Sequence, residues 1–199
     1  MCIRDSTWIG LLYYFNFVQT EYFKEAEDSA RKDAITKLVP RALWWFRWAA
    51  FFTFLTGLLL LEIILVAISL DIILGAIMRT IMMLNVWGII WPNQKIVIGI
   101  KEGDASIAGP KAALASRTNT LLSLPMLFFM VSSSHNQLGG NLWSEQITLT
   151  AFAVGLGLIL LIEANSIWGK MFGFITSVRN VIASSFALTV IFSGIAYYL

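Results

Sequence analysis

The sequence predicts an all-α protein, a polytopic bundle of about six transmembrane helices. Of its 199 residues, 58% are hydrophobic and only 13% are charged, whereas soluble domains are about one quarter charged. The mean hydropathy is +0.75. The apolar residues form long runs without the alternation of barrel strands, and a helix satisfies its own backbone hydrogen bonds inside a bilayer.

Charge and cysteine content exclude several other classes of protein. A net charge of +2 with no basic stripe argues against a nucleic-acid partner. Cys2 is the single cysteine, so an intrachain disulfide and a cysteine-cluster metal site are both excluded. A c-type haem attachment motif within these residues is excluded as well, because it needs two cysteines and a histidine.

Apolar stretches give the helices in chain order. The first stretch is shorter than the about 20 residues that cross a bilayer, and the fourth and fifth need their polar flanks to be helical as well. The stretches are Thr7–Thr20, Leu43–Leu65, Ile72–Trp91, Thr120–Ser134, Ile147–Glu163 and Val178–Leu199.

Both ends of the chain resemble the ends of a fragment. Residues 1–6, MCIRDS, share nothing with the helix that follows, and we interpret them as a non-native leader. Residues 7–199 are then an incomplete transmembrane domain, with C-terminal helices expected beyond the apolar residues Tyr197, Tyr198 and Leu199.

Basic residues predict the orientation of the helices. Lysines and arginines occur between the first and second, the third and fourth, and the fifth and sixth stretches, whereas Ser69–Asp71 and His135–Gln146 contain none. By the positive-inside rule, the basic connections are expected in the cytoplasm. The C-terminal end of the chain is then expected in the periplasm.

Polar side chains gather at the basic ends of the helices. Asn119 and Ser123 are four residues apart and share one helix face, and Pro125 removes a backbone hydrogen bond, which frees a carbonyl. Polar groups at such depth usually face the bundle interior or a water-filled cavity. The residues expected to line one cytoplasmic pocket are Arg41, Arg47, Asn93, Gln94, Arg117, Asn119, Glu163 and Asn165. For Arg41 the alternative is a snorkelling anchor.

A pocket of this composition suits a flat anionic heterocycle. Guanidinium groups pair bidentately with planar anions, and amide side chains offer the donor and acceptor that match a purine edge. A carboxylate, a phosphate and a quinone head group remain alternative occupants.

Three further polar residues lie toward the other ends of the helices. Arg79 and Glu62 are expected to form an interhelical pair, because an unpaired charge in the membrane is costly. His135 is the only histidine. It is either a solvated loop residue or a ligand of a metal or haem iron.

Two segments, NVWGIIWPNQKIVIG and ASRTNTLLSLPMLFFM, resemble the membrane-bound urate hydroxylase family, the urate oxidase N-terminal membrane domain. Further similarity lies in TWIGLLYYFNFVQT, RALWWFRWAAFFTFLTG and LIEANSIWG, so the resemblance extends from Thr7 to Gly169. It implies a bacterial inner-membrane oxidoreductase of purine catabolism that oxidises urate to 5-hydroxyisourate. Electrons would pass to a fused C-terminal cytochrome c or another respiratory-chain acceptor.

Side-chain chemistry suggests roles within that expectation. The arginines would hold the urate anion, the amides would read the purine edge and Glu163 would take a proton. His135 becomes a second catalytic candidate and a candidate haem ligand. Haem c is expected in the cytochrome, and haem b is an alternative cofactor. The fragment is not expected to turn over urate alone, because the cytochrome and the start of the first helix, where this family is expected to carry a histidine, are missing.

Two other functions stay open. One is a membrane electron carrier that holds haem b or a quinone. The other is an anion transporter, which is disfavoured because no internal repeat is evident in the sequence.

Overall fold

The computed structural model describes residues 3–63, 68–135, 138 and 149–199, and its regular elements there are helices. These elements are α1 (Ile3–Tyr13), a π-helical segment (Tyr14–Gln19), α2 (Thr20–Glu25), α3 (Asp28–Lys37), α4 (Val39–Ile63), α5 (Leu70–Asn85), a second π-helical segment (Val86–Ile90), α6 (Trp91–Val97), α7 (Ala105–His135), α8 (Leu149–Trp168), α9 (Gly173–Thr176) and α10 (Val178–Tyr198).

Within the described residues, five helices are long and apolar enough to cross a membrane. They are Val39–Ile63, Leu70–Val97, Ala105–His135, Leu149–Trp168 and Val178–Tyr198. The prediction of an all-α transmembrane bundle is confirmed.

The observed boundaries extend the predicted ones. The stretch Thr120–Ser134 is the second half of α7, because the polar flank from Ala105 onward is helical too. The stretch Thr7–Thr20 lies in a helix that already begins at Ile3, within the predicted leader. Residues 64–65 and 147–148, which end and begin two of the predicted stretches, lie outside the described residues.

Helix α7 is the centre of the bundle. In its most apolar window 67% of the residues are buried, against 44% or fewer in the other four spans. Gly75 of α5 lies against α7, where an added Cβ would be in van der Waals contact with Phe129 Cβ at 3.4 Å. Contact with α1 includes a 2.9 Å hydrogen bond between Tyr13 Oη and Ser123 Oγ. Side chains on several faces of α7 therefore meet different helices.

The helices alternate in direction, so one end of the bundle gathers the start of α4, the end of α6, the start of α7, the end of α8 and the start of α10. We call this the basic end, since the lysines and arginines of the connections lie there. At the opposite end, Asp71 Oδ2 accepts hydrogen bonds from Ser132 Oγ, at 2.7 Å, and from Leu138 N, at 3.0 Å. These bonds join α5 to the end of α7.

Pro125 frees a carbonyl, as the sequence predicts. Proline has no N–H to donate to the carbonyl four residues earlier, which is that of Leu121. That oxygen accepts a 2.8 Å hydrogen bond from Ser185 Oγ of α10. In a membrane, serine side chains commonly satisfy carbonyls that proline releases. The proline therefore creates an interhelical hydrogen bond at the α7–α10 contact.

The expected pair between Arg79 and Glu62 is not formed. The ion pairs among the described residues are Lys24–Glu21, Arg31–Asp28 and Lys37–Asp33, all before α4. Glu62 is exposed near the end of α4, whereas the Arg79 guanidinium packs against Gly57, where an added Cβ would lie 3.7 Å from Arg79 Cζ.

Candidate functional site

A cavity of about 390 Å³ lies at the basic end of the bundle, between the first helix, α4, α6 and α7. This volume is in the range of small-molecule sites, about 300–1,000 Å³. Its polar lining residues are Asn16, Gln19, Thr20, Gln94, Ser116, Arg117 and Thr176. We call it the basic-end cavity.

The first π-helical segment supplies one polar wall of this cavity. Asn16 is buried and donates from Nδ2 to Leu12 O, at 2.9 Å, and to Ser116 Oγ of α7, at 2.8 Å. Thr20 Oγ1 donates to Phe15 O five residues earlier, at 2.7 Å. A π-helical turn is wider than an α-helical one, and such turns are frequent at functional sites.

The second π-helical segment lies directly before the sequence WPNQK, and the proline of that sequence accounts for it. Pro92 cannot donate to the carbonyl of Gly88, and its ring would clash with that carbonyl in a regular α-helix. The chain widens instead, and the N–H of Trp91 bonds to Val86 O, five residues earlier. Two residues of the cavity lining lie at the end of this irregular turn: Ile90 is its last residue, and Gln94 follows four residues later. Asn93 Nδ2 donates instead to Ile89 O of its own helix, at 2.7 Å.

Arg117 is the charged group of the basic-end cavity. Its side chain is only 5% exposed, and its Nη1 has no hydrogen-bond partner among the described residues. Gln19, from the first helix, also lines the cavity, and its Oε1 is likewise buried without a partner among the described residues. Buried donors and acceptors are almost always satisfied in folded proteins. The Nη1 donor of Arg117 and the Oε1 acceptor of Gln19 are therefore left for a ligand or water.

A second polar cluster lies on another face of α7. Asn85 Nδ2 donates to Asn119 Oδ1, at 3.0 Å, and to Glu163 Oε2, at 2.9 Å. Asn119 is fully buried and donates from Nδ2 to Met82 O, at 2.9 Å. This cluster joins α5, α7 and α8 and brings together two predicted site residues, Asn119 and Glu163. Neither of them lines the basic-end cavity.

Arg47 lies in an aromatic cluster beside the cavity rather than in its lining. Its guanidinium carbon is 3.8 Å from the ring centre of Trp91 and 5.9 Å from that of Trp87. The Trp87 indole also donates to Arg47 O, at 3.2 Å. A cation over the face of a tryptophan gains about 0.5–2 kcal/mol. Arg47 thus contributes to the contact between α4 and the α5–α6 helix.

Three other predicted site residues lie apart from the cavity lining. Arg41 is exposed on α4. Asn165 makes two 3.3 Å hydrogen bonds with the backbone of Lys170 and so closes the end of α8. His135 is exposed at the far end of α7, with Nδ1 3.2 Å from Val131 O. In the described part of the chain, no group of three histidine, cysteine or acidic side chains could hold a metal ion.

The start of α7, just beyond the cavity, is capped by Asp104. Its Oδ1 accepts from both the backbone N–H and the hydroxyl of Ser106, at 2.8 and 2.6 Å. These two hydrogen bonds hold the pKa of the Asp104 carboxyl below its ordinary value of 3.8. The charged form of the Asp104 carboxyl therefore stabilises the first turn of α7, the helix that contributes Ser116 and Arg117 to the cavity lining.

Of the predicted site residues, Gln94 and Arg117 line the cavity. Asn16, Gln19 and Ser116 were not among the predictions, although the first two are polar residues three apart in an otherwise apolar run. Such spacing places them on one helix face. That spacing is the signal from which they could have been found.

Comparison with known proteins gives one match. A family model described as urate oxidase N-terminal matches residues 65–159, which include Gln94, Arg117 and Asn119. No curated protein and no solved structure matches the chain.

Proposed function

We propose that the chain, whose residues 65–159 match the urate oxidase N-terminal family model, is the membrane part of an enzyme that oxidises urate. The product would be 5-hydroxyisourate. Urate and one water give this product with the release of two protons and two electrons. We propose that a cytochrome c, fused or separate, accepts the electrons one at a time.

The observation that carries this proposal is that Arg117 and Gln19 both line the basic-end cavity and that each has a buried polar atom without a hydrogen-bond partner among the described residues. Urate is a planar monoanion with ring N–H donors and carbonyl acceptors. The unpartnered Nη1 of Arg117 would bind an anionic edge, and the unpartnered Oε1 of Gln19 would accept from a ring N–H. Gln94 lies in the same lining and would read a further edge atom.

Glu163 is the proposed proton acceptor. Its carboxylate is half-buried and bonded to Asn85, and Asn85 also bonds to Asn119. This cluster does not line the basic-end cavity, so the proton would reach Glu163 through an intervening group such as water rather than directly from urate. Glu163 would take a proton released during oxidation, and the two amides would orient its carboxylate. This role differs from binding, so loss of Glu163 should lower kcat more than it raises KM.

Haem does not enter the proposed steps for this chain. The sequence has one cysteine and one histidine, and His135 is exposed at the end opposite the cavity. We therefore assign no haem to the residues of this chain in the proposed steps. Haem c is proposed for the cytochrome acceptor, where it would carry the electrons away.

We propose that the basic end faces the cytoplasm of a bacterial inner membrane and that Leu199 lies on the periplasmic side. The lysines and arginines of the connections support this orientation. Purine breakdown produces urate in the cytoplasm, so the cavity would then open toward its substrate.

The test uses the full-length protein with its cytochrome in membranes. Urate consumption would be followed together with cytochrome reduction in the wild type, in Arg117→Gln and in Arg41→Gln. Arg41→Gln is the matched control, because Arg41 lies at the same end but is exposed.

We expect urate-dependent cytochrome reduction that Arg117→Gln lowers at least about tenfold and Arg41→Gln leaves unchanged. Tenfold corresponds to about 1.4 kcal/mol, near the lower bound for a hydrogen bond to a charged group. A wild-type protein without urate-dependent reduction would overturn the enzyme proposal. Urate uptake into vesicles without oxidation would favour the anion transporter instead.

A further inference from the structure

A second cavity, of about 200 Å³, lies toward the opposite end of the bundle from the first. It is lined by residues of the first helix, α4, α5 and α7. Its lining residues are Trp8, Ile9, Thr53, Arg79, Met126, Leu127, Met130 and Val131. An adjoining cleft of about 320 Å³ shares Arg79 and Met130 with it. We call the smaller space the Trp8 cavity.

Two buried polar atoms belong to the lining of the Trp8 cavity. Trp8 and Thr53 are each 1% exposed, and Trp8 Nε1 and Thr53 Oγ1 have no hydrogen-bond partner in the part of the chain that the structure describes. A threonine in a helix usually donates to a carbonyl one turn earlier, as Thr56 does to Phe52 O at 2.8 Å. Leaving such groups unsatisfied in a low-dielectric interior is costly, so a ligand that accepts hydrogen bonds from them would be stabilised there.

The Trp8 cavity lies within the depth of the hydrocarbon core. The 28-residue helix Leu70–Val97 is about 42 Å long, against about 30 Å for the core. Centred on that core, the helix places Arg79 about 8 Å inside its edge. A phospholipid phosphate stays at the interface, whereas the head group of a molecule that is dissolved in the membrane reaches this depth.

The neighbouring surface is open to lipid. Val131 of the cavity lining and Leu58 of the adjoining cleft are both exposed on the outside of the bundle. A ligand would therefore enter laterally from the membrane, past apolar side chains. A hydrophilic anion from either aqueous phase would have to cross the hydrocarbon first.

The residues that line the Trp8 cavity favour a ligand that accepts hydrogen bonds and has a flat apolar ring. Its described polar groups are an indole N–H, a hydroxyl and a guanidinium, and its other walls are methionine and aliphatic side chains. A quinone ring has two carbonyl oxygens that accept hydrogen bonds and no donor of its own. We propose that the Trp8 cavity binds the head group of a membrane quinone, with its carbonyl oxygens accepting from Trp8 Nε1 and Thr53 Oγ1.

This site is separate from the basic-end cavity and does not depend on urate as the substrate. The test uses the full chain in lipid nanodiscs with an azido-substituted ubiquinone analogue as a photolabel. Unlabelled decylubiquinone competes for the site, and labelled peptides are identified by mass spectrometry. Thr53→Val removes the hydroxyl and keeps the side-chain shape. Thr56→Val is the matched control, because its hydroxyl already bonds within α4.

We expect competed labelling of peptides that contain Trp8 or Met126–Val131. The affinity of the competitor should fall about three- to tenfold in Thr53→Val, the effect of one lost hydrogen bond, and should not change in Thr56→Val. Trp8→Phe should have a similar effect to Thr53→Val.

Three results would overturn the proposal. They are labelling that decylubiquinone does not compete, equal affinity in all variants, and competition by a short-chain phospholipid as strong as that by the quinone. Urate binding, measured in the same preparations, reports on the other cavity. A negative result here therefore leaves the urate proposal standing, and the reverse also holds.

Discussion

Asn85 donates a 2.9 Å hydrogen bond from Nδ2 to the carboxylate oxygen Oε2 of Glu163. The same amide nitrogen donates to Asn119 Oδ1. One side chain of α5 therefore satisfies polar groups of both α7 and α8 in the interior of the bundle. Within an apolar core, such a connection determines which helix faces meet, because any rotation would leave a carboxylate or an amide unsatisfied.

Replacing Asn85 with alanine should destabilise the bundle. The change leaves Asn119 Oδ1 and Glu163 Oε2 without this donor, and each unsatisfied buried acceptor costs about 1–3 kcal/mol. Reversible unfolding in detergent should show a loss of about 2–6 kcal/mol for the two acceptors together. Asn93→Ala is the control, since its amide bonds to Ile89 O of its own helix and its loss should cost less. Equal losses for the two variants would contradict the bridging role.

Pro125 and Ser185 should be energetically coupled. Ser185→Ala removes the donor to Leu121 O and should cost about 1–3 kcal/mol in free energy of unfolding. In a Pro125→Ala background the new backbone N–H can bond to Leu121 O, so the same serine substitution should cost less. A double-mutant cycle measures the difference. Additive effects would mean that the serine does not replace the bond that the proline removes.

Pro92→Ala should restore a regular helical turn between Asn85 and Val97. The new N–H could bond to Gly88 O and remove the reason for the π-helical segment Val86–Ile90. The residues beyond it, including Gln94, would then rotate relative to the cavity. We expect weaker urate binding with unchanged or increased thermal stability, measured on the same purified protein. Unchanged binding would show that this irregular turn does not position the cavity wall.

The contribution of the Asp104 cap to the stability of the protein should depend on pH only in strong acid. Its pKa is lower in the folded protein than the ordinary value of 3.8. The stabilisation is therefore complete above about pH 4 and disappears as the pH falls through the folded pKa. Asp104→Asn should thus lower stability by a constant amount between about pH 5 and pH 8. Thermal unfolding over that range checks this, and a difference that changes across it would point to another titrating group.

Local chemistry made part of this architecture predictable from the sequence. Long apolar runs predict the membrane helices, and Pro125 predicts a free carbonyl because its effect does not depend on distant residues. Polar residues near the ends of apolar helices are candidates for a shared cavity, and of those predicted here Gln94 and Arg117 line one. Their common location follows from the alternating direction of the helices.

The remaining site residues depend on helix rotation, which the sequence does not determine. Arg117 and Asn119 are two residues apart, so they project from different faces of α7 and belong to separate clusters. Arg79 faces Gly57 rather than Glu62. The wider turn at Pro92 shifts the register of the residues that follow it, so Asn93 turns onto its own helix while Gln94 reaches the cavity.

The dissociation constant of urate for the purified full-length protein tests the central claim most directly. Isothermal titration of the wild type, Arg117→Gln and Arg41→Gln compares the buried guanidinium with an exposed one at the same end of the bundle. The account predicts saturable binding that Arg117→Gln weakens at least about tenfold and Arg41→Gln does not change. Equal urate affinity in all three proteins would contradict it.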